Sequence, residues 1–420
     1  MQEIIPIVVA FDNNYCVPAG VSLYSMLANA KRERERERVK LFYKIHCLVE
    51  DLSLENIAKL EETIAPFSAF SSIEFLDISN NNAPKENQEI KKNQAVKSDH
   101  YQNIDPIIAN KIEELFTKLS DFSQKRFSKM IMCRFFFASL FPQYDKMIMF
   151  DVDTLFVNDM SESFFIPLET HYFGAVREKD LIAMDRNSAK DLYELRQMHA
   201  KSIGVADAFP DLEEAQILFD NYFNAGFLAL NLKSWREENL ENQLVGFFLL
   251  KNEKLLFNDQ DALCFVCRGR ILELPYSYNA HPSFLDTPSF PSIKEARMLH
   301  FWGDKPWKLL SVMGAKKWHE VLIQTPFKDA YFNALFLDRL FESLQNRDKE
   351  IKRRDERIIE EVQAVQARDK EIHALKKILS FSDRRHSFEF LLPRLSSKLL
   401  IEFLLFKVKQ KVKRLIKRVF

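Results

Sequence analysis

Glycine is scarce in this chain, with 8 residues in 420. That scarcity excludes collagen-like, linker-rich and other low-complexity architectures. Cysteine is thin as well: 5 residues, an odd number, mostly in apolar surroundings. An odd count cannot pair completely within one chain, so reduced, buried thiols of a cytosolic protein are expected instead of a disulfide framework. Cys264 and Cys267 have CxxC spacing, but no second such pair and no adjacent histidine accompany them. Two core cysteines on one helix is a better reading than a redox or zinc centre. Long apolar runs are also missing. None approaches the ~18–20 residues that a membrane span needs. The start, Met1-Gln2-Glu3, is acidic, and the apolar stretch 4–10 is too short for a signal peptide. Neither sign of charge is in excess, with 60 basic and 60 acidic residues.

What the chain does have is a large apolar content, 47% hydrophobic with 38 phenylalanines. That is enough for a substantial core, and 420 residues suit one large α/β domain with additions. Residues 4–10 read as a buried strand, 17–28 as a helix and 41–49 as a second strand. This alternation is that of a doubly wound sheet. The run Arg32-Glu33-Arg34-Glu35-Arg36-Glu37-Arg38 cancels its own charge and is expected to be a solvated helix extension or loop. Residues 80–100 are polar and expected to be loop. Residues 104–119 and 127–141 look helical, and 179–218 looks like a helical insertion. Strand signals return at 226–231 and 270–274.

The most informative local feature is Asp151-Val152-Asp153, directly after the apolar run 147–150. Open α/β sheets place their ligands at the carboxyl ends of strands. A bend there lets both carboxylates reach one hard cation that keeps positions open for phosphates. With His300 far downstream, the pair suggests a metal–diphosphate site.

Composition changes near Asp338. Arg347-Asp348-Lys349-Glu350-Ile351 recurs at residues 354–358 and 368–372. Leu344, Ile351, Ile358, Val365, Ile372 and Leu379 form one apolar row at heptad spacing, while the companion row carries Asp348, Asp355 and Asp369. Two readings stay open: a weakly self-associating coiled coil, or a solvated spacer helix. From Phe381 onward eleven Lys/Arg face three acids, a net +8 that leaves −8 for the rest. After Pro393, Ile401, Leu404, Leu405, Val408, Val412, Leu415, Ile416 and Val419 fall on one helical face, with lysines and arginines largely elsewhere. A basic amphipathic helix reads as binding an anionic membrane surface. Nucleic-acid contact, or packing on the acidic body, is the alternative, and no nucleic-acid partner is expected.

Four segments together resemble the family 8 glycosyltransferases. They are Ala10-Phe11-Asp12-Asn13-Asn14-Tyr15; Phe150-Asp151-Val152-Asp153; Tyr222-Phe223-Asn224-Ala225-Gly226 with Asn231-Leu232-Lys233-Ser234-Trp235; and Asn258-Asp259-Gln260-Asp261 with His300-Phe301-Trp302-Gly303-Asp304-Lys305-Pro306-Trp307. The resemblance covers residues 5–310. It implies a GT-A-like, Rossmann-type α/β domain that uses a UDP-sugar and one Mn²⁺ or Mg²⁺ and retains the anomeric configuration. Bacterial galactosyl- and glucosyltransferases of lipooligosaccharide or lipopolysaccharide core belong to this group.

Carried onto this chain, the resemblance implies that Asp151, Asp153 and His300 hold the metal. Ala10, Asp12, Asn14 and Tyr15 would take the nucleoside, and Gly303 and Lys305 the diphosphate. Arg134, Asn224 and Ala225 would reach the donor, with Gly226 allowing close backbone approach. Asp259 would hold the sugar hydroxyls. Gln260 would lie beneath the anomeric carbon, with Asp261 the reserve nucleophile. The bland readings are helix caps at Asp12, Asn14, Asp259 and Asp261. The implied acceptor is a lipid-linked glycan, and the implied location is the cytoplasmic face of the plasma membrane. Residues 1–337 would be catalytic, 338–380 a helical spacer and 381–420 the basic tail. A phosphatase of the haloacid-dehalogenase type also fits Asp151 and Asp153. Its signature normally ends the first strand of its domain, and it leaves the other three segments unexplained. A non-catalytic membrane scaffold is the remaining alternative, and it predicts no sugar-nucleotide binding.

The tail yields the first prediction. Juxtamembrane Lys/Arg contribute roughly 1 kcal/mol each toward an anionic leaflet, and the apolar face adds burial that salt does not screen. In liposome flotation the chain should rise with anionic vesicles, much less with neutral ones, and high salt should release it only in part. Equal flotation with both, or with neither, would place the tail elsewhere.

Overall fold

The computed structural model describes residues 2–79, 101–178, 188–202, 208–286 and 292–381. The first apolar run forms β1 (Gln2–Asp12), which pairs in parallel with β3 (Val39–Glu50) over its whole length. β4 (Ser71–Asp77) and β5 (Tyr101–Asn103) extend the sheet beyond β3, again in parallel. On the other side of β1 lies β6 (Lys146–Phe150), also parallel. Then come β9 (Phe223–Asn231), β8 (Phe173–Arg177) and β10 (Ile271–Glu273). β9 runs antiparallel to both of its neighbours.

The chain builds outward from β1 in one direction and returns to start the other side with β6. The carboxyl ends of β1 and β6 therefore flank a topological switch point, where open α/β sheets bind ligands. Both faces are covered. Ile5, Ile7, Val9 and Phe11 of β1, with Ile148 and Phe150 of β6, join one core cluster. Val8, Met147 and Met149 join the other. The alternation is the period of two that a strand imposes on its side chains. Central strands buried on both faces also explain why these stretches are apolar throughout.

Two local expectations are corrected. The Arg/Glu run is a hairpin, neither helix nor loose loop: β2 (Glu33–Arg34) pairs antiparallel with Val39 and Lys40, and Arg38 takes φ 54° in the turn. Charges alternating one by one have the period of a strand, and Arg34 lays its guanidinium over Phe165 at 4.0 Å. The segment 127–141 is mainly a 3₁₀ helix, Lys129–Phe136, followed by one short α turn, Phe137–Leu140. Met130, Cys133 and Phe136 are all buried along it. The i, i+3 eclipse of a 3₁₀ helix stacks them inward and leaves Arg134 between them.

A small antiparallel ribbon lies outside the main sheet. β7 (Thr154–Phe156) pairs with β11 (Met298–His300), with His300 directly opposite Thr154. The insertion contributes helices Ala189–Ser202 and Leu212–Asp220. The stretches 80–100, 179–187 and 382–420, which include the expected polar loop and the basic tail, lie outside the described residues.

The chain divides into two units, Met1–Asn333 and Ala334–Phe420. The last described element is a helix of 54 residues, Lys328–Phe381, about 80 Å long at ~1.5 Å per residue. Its heptad row at Leu344, Ile351, Ile358, Val365 and Ile372 is exposed. Among the described residues no helix is long and apolar enough to cross a membrane.

Candidate active site

β6 delivers Asp151 to the switch point, and the chain then bends through Val152 and Asp153 into β7. Four bonds fix the bend. The Asp151 N–H donates to Gly226 O at 3.0 Å. The Thr154 hydroxyl donates to Asp151 O at 2.7 Å and meets the Ser22 hydroxyl at 2.7 Å. The Phe301 N–H donates to Asp153 O at 3.0 Å. The β7–β11 ribbon thus fastens His300 against both aspartates. One ligand atom each from Asp151, Asp153 and His300 lies within 4.8 Å of the others. His300 Nε2 is 3.2 Å from Asp153 and 3.8 Å from Asp151. Two carboxylates and an imidazole are a donor set for Mn²⁺ or Mg²⁺, the nitrogen favouring manganese.

The surrounding charges are compensated. Arg134 bridges Asp151 and Asp259, one nitrogen to each, through charge-assisted hydrogen bonds. Burial opposes the Arg134 charge, but the two carboxylates outweigh it and raise its pKa. Lys305 donates to Asp153 at 2.5 Å and to Phe301 O at 2.6 Å. The register of Lys305 therefore brings it into the site, where its ammonium occupies one oxygen of the Asp153 carboxylate. Burial pushes the Asp151 carboxyl above its ordinary value, Arg134 opposing and Asp153 adding. Burial also works against Asp153, yet His300 and Lys305 win and hold it below the carboxylate range. The two carboxyls are driven apart by their surroundings, burial dominating at Asp151 and the His300 and Lys305 contacts outweighing it at Asp153.

At the carboxyl end of β1, Asp12 accepts the Asn14 N–H at 2.9 Å through one oxygen, which is the capping role. Ala10 is half-buried, and Asn14 and Tyr15 are exposed. Burial raises the Tyr15 pKa, and Asp153, Asp12 and Asp151 add to it, so its hydroxyl lies in the field of the acidic group. Its ring meets Trp307 edge-on at 5.9 Å. Beside Asp12 opens a polar cleft of about 400 Å³, lined also by Glu50, Glu113, Phe116, Lys125 and Lys129.

Helix Asn258–Val266 supplies the other wall. Asp259 takes Arg134. Gln260 turns its side-chain oxygen to the Ala225 N–H at 3.0 Å, spending one of two lone pairs. Asp261 is fully buried and points away. It accepts from Arg196, from Tyr222 Oη at 3.2 Å, and from the Leu256 and Phe257 N–H groups at 3.2 and 3.1 Å. That engagement is incompatible with the role of reserve nucleophile. The residue braces the start of its helix from inside the first turn and is not its N-cap. Cys264 and Cys267 are both buried and free.

Gly226 is needed for a reason the sequence does not show. A Cβ there would fall inside the ring of His300. Gly303, with φ 91°, is needed for its turn. Asn224 is spent on Gly226 N, Asn279 and Glu178. Sequence reasoning missed Asn279, Glu178 and Arg196. They are isolated polar residues without periodic or motif signal.

A mixed α/β sheet with an acidic cluster at its switch point is the architecture of GT-A type glycosyltransferases. The model of glycosyl transferase family 8 matches residues 6–310, and the chain belongs to that family. A putative glycosyltransferase of Haemophilus influenzae is 28% identical over 142 residues, 34% of this chain and 36% of its own length. The lipopolysaccharide 1,2-glucosyltransferase of Escherichia coli K12 is 26% identical over 122 residues, 27% of this chain and 36% of its own. The alignments thus span about a third of each of these two relatives. The galactosyltransferase LgtC, solved with donor and acceptor sugar analogs, superposes with TM-score 0.51 over 77% of this chain and 96% of its own, at 18% identity. At that identity the likeness is one of fold.

The packing of Gly226 is directly testable. Gly226→Ala should force the His300 ring off Asp153 and Asn279, at a cost of about 1–3 kcal/mol for overpacking. Urea denaturation should show the loss, and sugar transfer should fall with it. Unchanged stability and unchanged transfer would mean that His300 is not held where the structure has it.

Proposed function

We propose that this glycosyltransferase moves a hexose, galactose or glucose, from a UDP-sugar to a lipid-linked glycan such as lipopolysaccharide core, with retention and with Mn²⁺ or Mg²⁺. The carrying observation is the Asp151, Asp153 and His300 cluster at the β1/β6 switch point. The donor set fits a hard divalent ion, and the Lys305 ammonium on Asp153 already marks a cation position. When bound, the ion would neutralise charge on the departing diphosphate.

The chain's own residues do the rest. Asp12 and Asn14 hydrogen-bond the nucleoside, and Tyr15 offers its face to the base. The Lys305 ammonium, released from Asp153, pairs with a phosphate oxygen as a point charge. Arg134 and Asp259 hold the sugar hydroxyls. Gln260 offers its remaining lone pair to positive charge developing at the anomeric carbon. An amide is a poor nucleophile and Asp261 is engaged elsewhere, so attack on the donor's own face is the better reading. The bond from the anomeric carbon to the β-phosphate oxygen breaks. The acceptor oxygen bonds on the same face, and its proton passes to the departing oxygen. The spacer helix and the basic tail would hold residues 1–337 at an anionic membrane surface on its cytoplasmic side. The lipopolysaccharide enzyme among the relatives supports the acceptor class.

The phosphatase alternative loses support because Asp151 follows the sixth strand, not the first. The scaffold alternative loses support from a family match that spans the whole body.

In the test, the chain is offered UDP-galactose and UDP-glucose with a glycolipid acceptor. Excess EDTA should abolish transfer and Mn²⁺ should restore it. Asp153→Ala should lower it by roughly 10²–10³-fold, the equivalent of several kcal/mol of Lewis-acid assistance, with the fold kept. The product should be α-linked by NMR. Full activity in EDTA would remove the metal, and a β-linked product would remove the retaining mechanism.

A further inference from the structure

We infer that Asn279 is a positioning residue that fixes the proton of His300 on Nδ1 and so reserves Nε2 for the cation. The inference rests on the metal reading of Asp151, Asp153 and His300. It adds a residue outside the four motifs.

The derivation is an inventory of donors and acceptors along one buried chain. The Gly226 backbone N–H can only donate, and it points at the side-chain amide of Asn224 at 2.9 Å. The Asn224 atom it meets is therefore Oδ1. The Asn224 Nδ2 is then free to donate to Glu178 at 2.9 Å, and a carboxylate there can only accept. The two ends agree, so the orientation of Asn224 is fixed by groups with no choice of role. Asn224 Oδ1 also meets the Asn279 amide at 2.7 Å. Two acceptors cannot bond, so Asn279 must present Nδ2 there. Its Oδ1 then faces His300 Nδ1 at 2.8 Å. An amide oxygen cannot donate, so His300 Nδ1 carries a proton. Only Nε2 can supply a lone pair, and Nε2 is the nitrogen facing Asp153 and Asp151.

Every link in this chain is shielded from water. Asn279 is 1% exposed, His300 4%, Asn224 8% and Glu178 9%. An imidazole inside such a site has two tautomers to choose from, and the wrong one places a proton where a cation should bind. Imidazole ligands elsewhere are held in the same way, their second nitrogen donating to an oxygen behind the metal. Here the oxygen's identity is dictated by a backbone amide two residues away, relayed through two side-chain amides. Asn224 is thereby committed to holding His300, with one N–H left over for any sugar contact.

The test uses the full chain with ¹⁵N-labelled histidine. Long-range ¹H–¹⁵N correlation, without metal and with Mg²⁺, should show His300 Nδ1 protonated, the signal assigned by its loss in His300→Ala. An unprotonated Nδ1 in the wild-type chain overturns the inference without recourse to any further variant. Binding of Mn²⁺ alone is then followed by the free-ion EPR signal. Asn279→Ala should weaken it about 10–100-fold, the usual effect of removing an outer partner of a ligating histidine. Asn279→Asp still offers an acceptor to Nδ1–H but sets a second oxygen against Asn224 Oδ1, so it should recover only part of that loss. If His300→Ala binds Mn²⁺ like the wild type, the metal reading itself fails. If His300→Ala loses binding while Asn279→Ala keeps it, only the positioning role fails.

Discussion

Three carboxylates, Asp151, Asp153 and Asp259, meet at one site, and the rest of the site depends on the groups that hold them together there. Two cations meet them, Arg134 between Asp151 and Asp259 and Lys305 on Asp153. Three acidic groups thus face two basic partners, so one acid is left without a lysine or arginine of its own. Acidic groups this close and only partly open to water are costly to leave unmatched. That balance favours the cation of the proposed reading, and a divalent ion would make the site more positive. A site made more positive in this way is suited to a diphosphate. On the proposed reading Lys305 would have two successive partners, Asp153 first and a phosphate once a cation takes its place.

The scaffold that holds this balance is stiff. Arg134 projects from a 3₁₀ segment in which Met130, Met132, Cys133, Phe135 and Phe136 are buried. His300 is fastened by the β7–β11 ribbon and by Asn279 behind it. Helix Asn258–Val266 is braced by the buried pair of Arg196 and Asp261, which ties it to the insertion helix Ala189–Ser202. Precision of this kind is what a site needs when it acts by placing charge where charge develops.

Much of this was legible in the sequence. The strands showed because buried central strands are continuous apolar runs, as at residues 4–10 and 147–150. The acidic pair stood out because it ends one of them, and the long last helix showed through its heptad row. What stayed hidden has common causes. Asn279, Glu178 and Arg196 act singly, through tertiary contacts that leave no periodic trace. The β7–β11 ribbon is built from three-residue strands separated by more than a hundred residues. Gly226 looked like a place for substrate to approach, whereas it makes room for a histidine ring. The Arg/Glu run was read by its net charge when its period of two was the better signal. Asp261 looked like a spare nucleophile because sequence cannot show which carboxylates are already engaged.

The central claim is that Asp151, Asp153 and His300 jointly hold a cation that also meets the donor's diphosphate. Pulsed EPR of Mn²⁺ bound to the chain in the presence of UDP tests it most directly. The account predicts one Mn²⁺ per chain, with ¹⁴N modulation from a single imidazole that vanishes in His300→Ala, and ³¹P coupling from UDP in the same spectrum. Bound manganese with phosphorus coupling but no histidine nitrogen, or nitrogen coupling that survives His300→Ala, would contradict it.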